Sequence, residues 1–152
     1  MIVSKQIEWD MGHRVLNHHS KCSNLHGHRY KAEICLKGNL VSKAGDSSEG
    51  MVIDFGDIKL IATKYVHDVL DHGFMVWGKD KVMLNFFSKN AHQKHIVVPF
   101  TPTAENISAW IFRQLDTKYT DIFNTGLKLE SVKLWETPTS VVICKREDVY
   151  TL

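Results

Sequence analysis

Three histidines, His13, His26 and His28, are spaced so that two extended strands could direct them at one point. His26 and His28 are two residues apart, and residues i and i+2 of a β-strand face the same side. His13 continues an apolar alternation that starts at Ile7, so antiparallel pairing of the two strands would bring it opposite the other two. Three nitrogen ligands with a fourth position open are typical of catalytic zinc, with iron, nickel and copper as alternatives.

Cys22 lies four residues before His26, in a polar segment without periodicity that we expect to be a loop over the metal site. A thiolate there would be stabilised by the metal and by Lys21, and it could act as a base or nucleophile. We expect Cys22 to approach the open position without being a ligand. An ordinary half-exposed thiol and a fourth zinc ligand are the alternatives.

Two further sites carry carboxylates. Asp71 precedes His72, and a carboxylate beside an imidazole can orient it and form an acid–base unit, although such pairs also arise by chance at helix ends.

Glu136 shares its strand face with apolar Val132 and Leu134, so its carboxylate should point inward and need donors such as the N–H edge of a pterin or guanine. A strand end that frays into water is the alternative.

Basic residues surround the expected loop, and they could attract a substrate that carries several negative charges. They are Arg14, His18, His19 and Lys21. A solvated basic loop without a binding role is the alternative interpretation.

Length and composition indicate one soluble domain, residues 1–152. The chain has 19 basic and 17 acidic residues, a net charge of +2, and no basic run that would indicate nucleic-acid binding. No signal pattern and no membrane-spanning run is visible, so we expect a cytoplasmic protein without a membrane partner. Three cysteines without regular spacing favour reduced thiols, with Cys35 and Cys144 in or near the core.

Periodicity predicts four strands and two helices in the order strand, strand, helix, helix, strand, strand. The predicted strands are 2–11, 29–37, 129–136 and 140–145. One helix should begin at Asp54 or Gly56 and end near Leu70, and the other should begin at 101–105 and bury Ile107, Trp110, Ile111 and Leu115. The stretch 74–100 has no clean period and stays unassigned. This order predicts an α+β domain with both helices on one face of a four-stranded antiparallel sheet.

Five separated motifs together resemble the 6-pyruvoyltetrahydropterin synthase family over nearly the whole chain. They are His13, the segment 22–28 (CSNLHGH), Leu70-Asp71-His72, the segment 102–106 (PTAEN) and Trp135-Glu136-Thr137. The position of the cysteine, four residues before the second histidine of the presumed zinc set, is most similar to the bacterial branch that makes 6-carboxytetrahydropterin for queuosine.

The resemblance implies a tunnelling fold, in which sheets from several subunits close into a barrel with active sites at the interfaces, as a homo-oligomer that is a trimer or hexamer. Carried over by position, His13, His26 and His28 would bind Zn²⁺, and Cys22 would be the catalytic thiol. Asp71 and His72 would be its acid–base partners, and Glu136 would anchor the pterin.

The implied activity is a zinc-dependent lyase reaction on 7,8-dihydroneopterin triphosphate. It would give 6-carboxy-5,6,7,8-tetrahydropterin and release acetaldehyde and triphosphate. A 6-pyruvoyltetrahydropterin synthase and a non-catalytic, zinc-stabilised module that binds pterins are the alternatives.

Overall fold

The computed structural model describes residues 1–123 and 126–150, and its sheet is built around two long strands. β1 (Ile2–His13) and β2 (His26–Lys37) pair antiparallel along their whole length. Both strands extend beyond the predicted ranges, by two residues after Met11 and by three before Arg29. The three histidines therefore lie inside the strands and not in the connecting loop.

The first predicted helix is confirmed from residue 55 to residue 70. It consists of α1 (Phe55–Ala62), a π-helical turn (Thr63–His67) and α2 (Asp68–Leu70). Asp54 caps the start, since its carboxylate accepts a hydrogen bond from the N–H of Gly56 at 2.6 Å. Such π turns occur often near functional sites, and this one directly precedes Asp71 and His72.

The second predicted helix is α4 (Ala104–Leu115), capped by Thr103. Ile107, Ile111 and Leu115 are buried as expected, but Phe112 is buried in place of Trp110, which is only half-buried. Two short helices, α5 (Lys118–Phe123) and α6 (Arg146–Tyr150), follow later in the chain. The last two strands are β5 (Lys128–Thr137) and β6 (Ser140–Lys145), and β5 pairs antiparallel with both β2 and β6.

The prediction of a four-stranded antiparallel sheet is wrong, because the unassigned stretch supplies two more strands. β3 (Gly73–Trp77), α3 (Lys81–Lys89) and β4 (His95–Val98) form a β–α–β unit, which we call the added unit. Its strands run parallel to each other, and β3 runs parallel to the end of β1 through Met11 and Gly12. The sheet therefore has six strands in the order β4-β3-β1-β2-β5-β6.

One hydrophobic core lies between the sheet and the helices. It joins β1 and β2 side chains such as Trp9 and Tyr30 to Ile58 of α1 and Ile111 of α4, so both predicted helices pack on the same sheet face. A second, small cluster (Val76, Met83, Phe87) lies within the added unit. All three cysteines are free, with Cys35 and Cys144 buried. Over the described ranges, no helix has the length and apolar character that a bilayer crossing requires.

Candidate metal centre and its surroundings

The register of β1 and β2 brings the three histidines together. His13 lies directly opposite His26, and His28 lies opposite Met11 two rungs further along. One ring nitrogen from each histidine lies within 4.8 Å of the other two. The period-two spacing and the antiparallel pairing inferred from the sequence are therefore the arrangement that the structure has.

Backbone carbonyls orient two of the three imidazoles. Nδ1 of His13 lies 2.7 Å from the carbonyl oxygen of Pro102, and Nδ1 of His26 lies 2.8 Å from that of Asn24. A carbonyl can only accept, so Nδ1 carries the proton in both rings and the Nε2 lone pair is the one that can act as an acceptor or a metal ligand. A ring N–H donated to a backbone carbonyl is usual for histidines that bind a metal through the other nitrogen.

Burial favours the uncharged form of two of the imidazoles, those of His13 and His28. His13 is only 1% exposed, and burial lowers its pKa; burial also lowers the pKa of His28. Neutral imidazoles bind divalent metals, so the donor set fits Zn²⁺ held by His13, His26 and His28.

Glu136 and Tyr30 lie against the histidine cluster. The Glu136 carboxylate is 3.6 Å from Nε2 of His13 and 4.0 Å from Nε2 of His28. The buried Tyr30 hydroxyl donates to Nε2 of His13 at 3.1 Å and also interacts with Glu136, and burial raises the pKa of this phenol. Glu136 lies inside β5 and its side chain is 27% exposed, so it points inward at an ordered strand position.

A cavity of about 520 Å³, which we call the histidine cavity, joins Cys22 to this cluster. Cys22 is half-buried in the single helical turn Lys21–Ser23, and its carbonyl accepts a hydrogen bond from the N–H of Val15 at 2.8 Å. Cys22 is not a member of the described set of mutually close ligand atoms. It lines the same cavity as His13 and His26, and its role as a reactive thiol stays a prediction.

Sequence reasoning missed part of the lining of this cavity. Thr103 and Glu105 enter it because α4 begins there, and His18, one of the basic residues expected around the loop, lines it as well. The N–H of Ser20 donates to Nδ1 of His18 at 3.1 Å, which leaves an N–H at Nε2 as a donor. The helix-start signal and the segment 102–106 include Thr103 and Glu105, but neither indicates that this helix end lines the cavity.

Arg14 has a different role from the one expected of a basic loop. Its guanidinium makes two hydrogen bonds of 2.6 Å to Asp80, and the side chains are 16% and 3% exposed. The pair raises the pKa of Arg14 and lowers that of Asp80. Arg14 is therefore neutralised and ties the end of β1 to the start of α3.

Asp71 and His72 form the expected pair, with Asp71 Oδ2 2.7 Å from Nδ1 of His72. Hydrogen bonds from the backbone N–H of Asp10 and from His72 lower the pKa of Asp71. The pair does not share the histidine cavity. His72 lines a separate cavity of about 640 Å³, which we call the aromatic cavity because Phe74, Phe86 and Phe87 form much of its wall.

Comparison with known proteins places these features in a family. The family model for 6-pyruvoyl tetrahydropterin synthase matches residues 2–147. Proteins named 6-carboxy-5,6,7,8-tetrahydropterin synthase from Haemophilus influenzae and Rickettsia conorii are each 37% identical to this chain, over 91% of it and 94% and 96% of their own lengths.

Solved structures share the fold. An uncharacterised protein from Wolinella succinogenes superimposes with a TM-score of 0.79 at 23% identity, over 97% of this chain and 98% of its own. The 6-pyruvoyl tetrahydropterin synthase of Caenorhabditis elegans gives 0.65 at 22% identity, over 95% and 94%. With the match of the family model over residues 2–147, these likenesses establish that the chain belongs to the 6-pyruvoyl tetrahydropterin synthase family.

Proposed function

We propose that this protein is a zinc-dependent lyase that converts 7,8-dihydroneopterin triphosphate to 6-carboxy-5,6,7,8-tetrahydropterin, with release of acetaldehyde and triphosphate, in queuosine biosynthesis. The observation that carries the proposal is the convergence of three imidazoles, two of which, His13 and His26, line a cavity that also holds the thiol of Cys22. The names of the relatives at 37% identity support the carboxy product over the pyruvoyl product.

In this proposal His13, His26 and His28 hold Zn²⁺. When bound, the metal supplies Lewis acidity to the side-chain hydroxyls of the substrate. Cys22 removes a proton from the substrate side chain, since it lines the same cavity as His13 and His26. Glu136 accepts hydrogen bonds from the amino and ring N–H edge of the pterin, and its interaction with Tyr30 restrains the carboxylate.

We propose that the Asp71–His72 pair delivers a proton to the substrate, as the counterpart of Cys22, which removes one. His72, bonded to Asp71, lines the aromatic cavity, whereas Cys22 lines the histidine cavity. We propose that the two cavities meet between subunits of a homo-oligomer, so that one chain contributes the metal and thiol and a neighbour contributes the acid–base pair.

Product analysis tests the proposal. The purified, zinc-loaded protein is given 7,8-dihydroneopterin triphosphate, and acetaldehyde, triphosphate and pterins are measured. Acetaldehyde with 6-carboxytetrahydropterin is the expected result. A pyruvoyl product would reassign the chain to 6-pyruvoyltetrahydropterin synthase, and pterin binding without turnover would make it a binding module.

A further inference from the structure

His72 occupies a strained backbone conformation. Its φ is 56°, in the left-handed region, and among residues 1–123 and 126–150 no other residue except glycines has a positive φ. Its side chain is 79% exposed, so packing does not hold the ring. The direction of the imidazole therefore depends on its bond to Asp71 and on the backbone of the turn.

One side of this turn is fixed by β1. The carbonyl of Asp10 accepts a hydrogen bond from the N–H of His72 at 2.8 Å, and the N–H of Asp10 donates to Oδ1 of Asp71 at 3.0 Å. These two bonds tie the acid–base pair to the strand that also carries His13. They leave the carbonyl of Asp71, which belongs to the peptide that joins the pair, to be fixed from elsewhere.

Lys94 of the added unit fixes that carbonyl. Its Nζ donates to the carbonyl oxygen of Asp71 at 2.6 Å and to that of Asp68, the first residue of α2, at 2.8 Å. Its own carbonyl accepts from the N–H of Phe74 at 3.1 Å, and its stem runs beside Gly73. One residue therefore contacts both the short helix before the turn and the strand after it.

We propose that Lys94 is a positioning residue for the Asp71–His72 pair, which it acts on by holding the peptide between them in the left-handed turn. With that peptide fixed, Asp71 keeps the proton on Nδ1 of His72, and Nε2 is directed into the aromatic cavity. The added unit thus has a role in the site, since it carries Lys94 immediately before β4. The catalytic part of this inference rests on the proposed function.

The test compares Lys94→Met, which keeps the stem and removes the donor, with Lys94→Arg, which keeps a charged donor. Lys89→Met is the matched control, because it removes an exposed lysine from the same unit. The zinc-loaded proteins are assayed for kcat and KM, and the ring nitrogens of His72 are followed by ¹⁵N NMR. For Lys94→Met we expect kcat to fall about tenfold with KM little changed, because misplacement of an acid–base group slows the chemical step.

The NMR measurement does not depend on turnover. We expect a single Nδ1–H tautomer for His72 in the natural protein and in Lys94→Arg, and a mixture of tautomers in Lys94→Met. An unchanged tautomer in Lys94→Met, whatever happens to kcat, overturns the inference. If the natural protein shows no turnover, the proposed function fails while the tautomer still decides the role of Lys94. If Lys94→Met does not fold, Lys94→Gln replaces it, because glutamine has a shorter side chain with an amide donor. The tautomer of His72 in that variant is then the deciding measurement.

Discussion

The Arg14–Asp80 pair should contribute a large share of the stability of this domain. Asp80→Ala would leave the guanidinium of Arg14, only 16% exposed, without its partner and would remove the cap that accepts from the N–H of Met83 at 3.1 Å. Removal of one partner of a buried pair costs about 3–5 kcal/mol, and loss of a cap costs about 1 kcal/mol. Because both losses act through one carboxylate, we expect the free energy of unfolding to fall by about 4 kcal/mol in total.

Urea unfolding of the metal-free protein measures this loss. A domain of this size has about 8–20 kcal/mol of stability, and 4 kcal/mol corresponds to a fall in Tm of about 8–16 °C. Glu8→Ala is the matched control, since its pair with Arg29 is 3.7 Å long and both side chains are more than half exposed. We expect less than about 1 kcal/mol for the control.

The double variant Arg14→Met with Asp80→Asn separates the charge from the cap. Asparagine can still cap α3 and no unpaired charge remains, so we expect most of the stability to return.

Arg14 lowers the pKa of Asp80, so the contribution of the pair is present above about pH 4 and is lost as the pH falls through the lowered folded pKa. A cost for Asp80→Ala equal to that of Glu8→Ala would refute the argument.

Three further outcomes are expected. Cys22→Ala should keep about one zinc per chain by elemental analysis and lose turnover, whereas loss of zinc would make the thiol a ligand. Glu136→Gln should lower the affinity for neopterin about 30- to 1,000-fold in a calorimetric titration, since about 2–4 kcal/mol of charge-assisted hydrogen bonding is lost, and near-normal binding would move the anchor elsewhere. Burial lowers the pKa of His13 and of His28 in the folded protein. The metal-free protein should therefore be most stable above about pH 6.5 and lose stability as the pH falls from there through the lowered folded pKa values. A free energy of unfolding that is flat from about pH 7.5 to about pH 5 would contradict this.

The convergence of the histidines could be predicted from the sequence because the information is local. A two-residue spacing fixes the face of His26 and His28, and the alternation before His13 fixes its face, so only the pairing of two neighbouring strands had to be inferred. The same local reasoning gave the inward side of Glu136 and the boundaries of β6.

The added unit could not be predicted in that way. β3 and β4 have five and four residues, too few for a period to emerge, and α3 buries only Met83 and Phe87. Parallel pairing also depends on a partner far away in the chain, as does the contact of Arg14 with Asp80, 66 residues later. No local pattern reports such contacts, and none indicated that Cys22 and His72 would line different cavities of one chain.

Gly12 and Gly27 face each other on the rung between the His13–His26 pair and the rung of His28. A Cβ on Gly27 would lie 2.9 Å from the carbonyl oxygen of Met11, and one on Gly12 would lie 2.6 Å from the ring of Phe74. Backbone cannot move aside at Gly27 without spreading the two strands that hold the histidines. In a saturation-mutagenesis screen scored on activity, position 27 should therefore tolerate replacement as poorly as the histidines do. A screen read on intolerance alone would then class Gly27 with the residues that do chemistry, although it has no side chain.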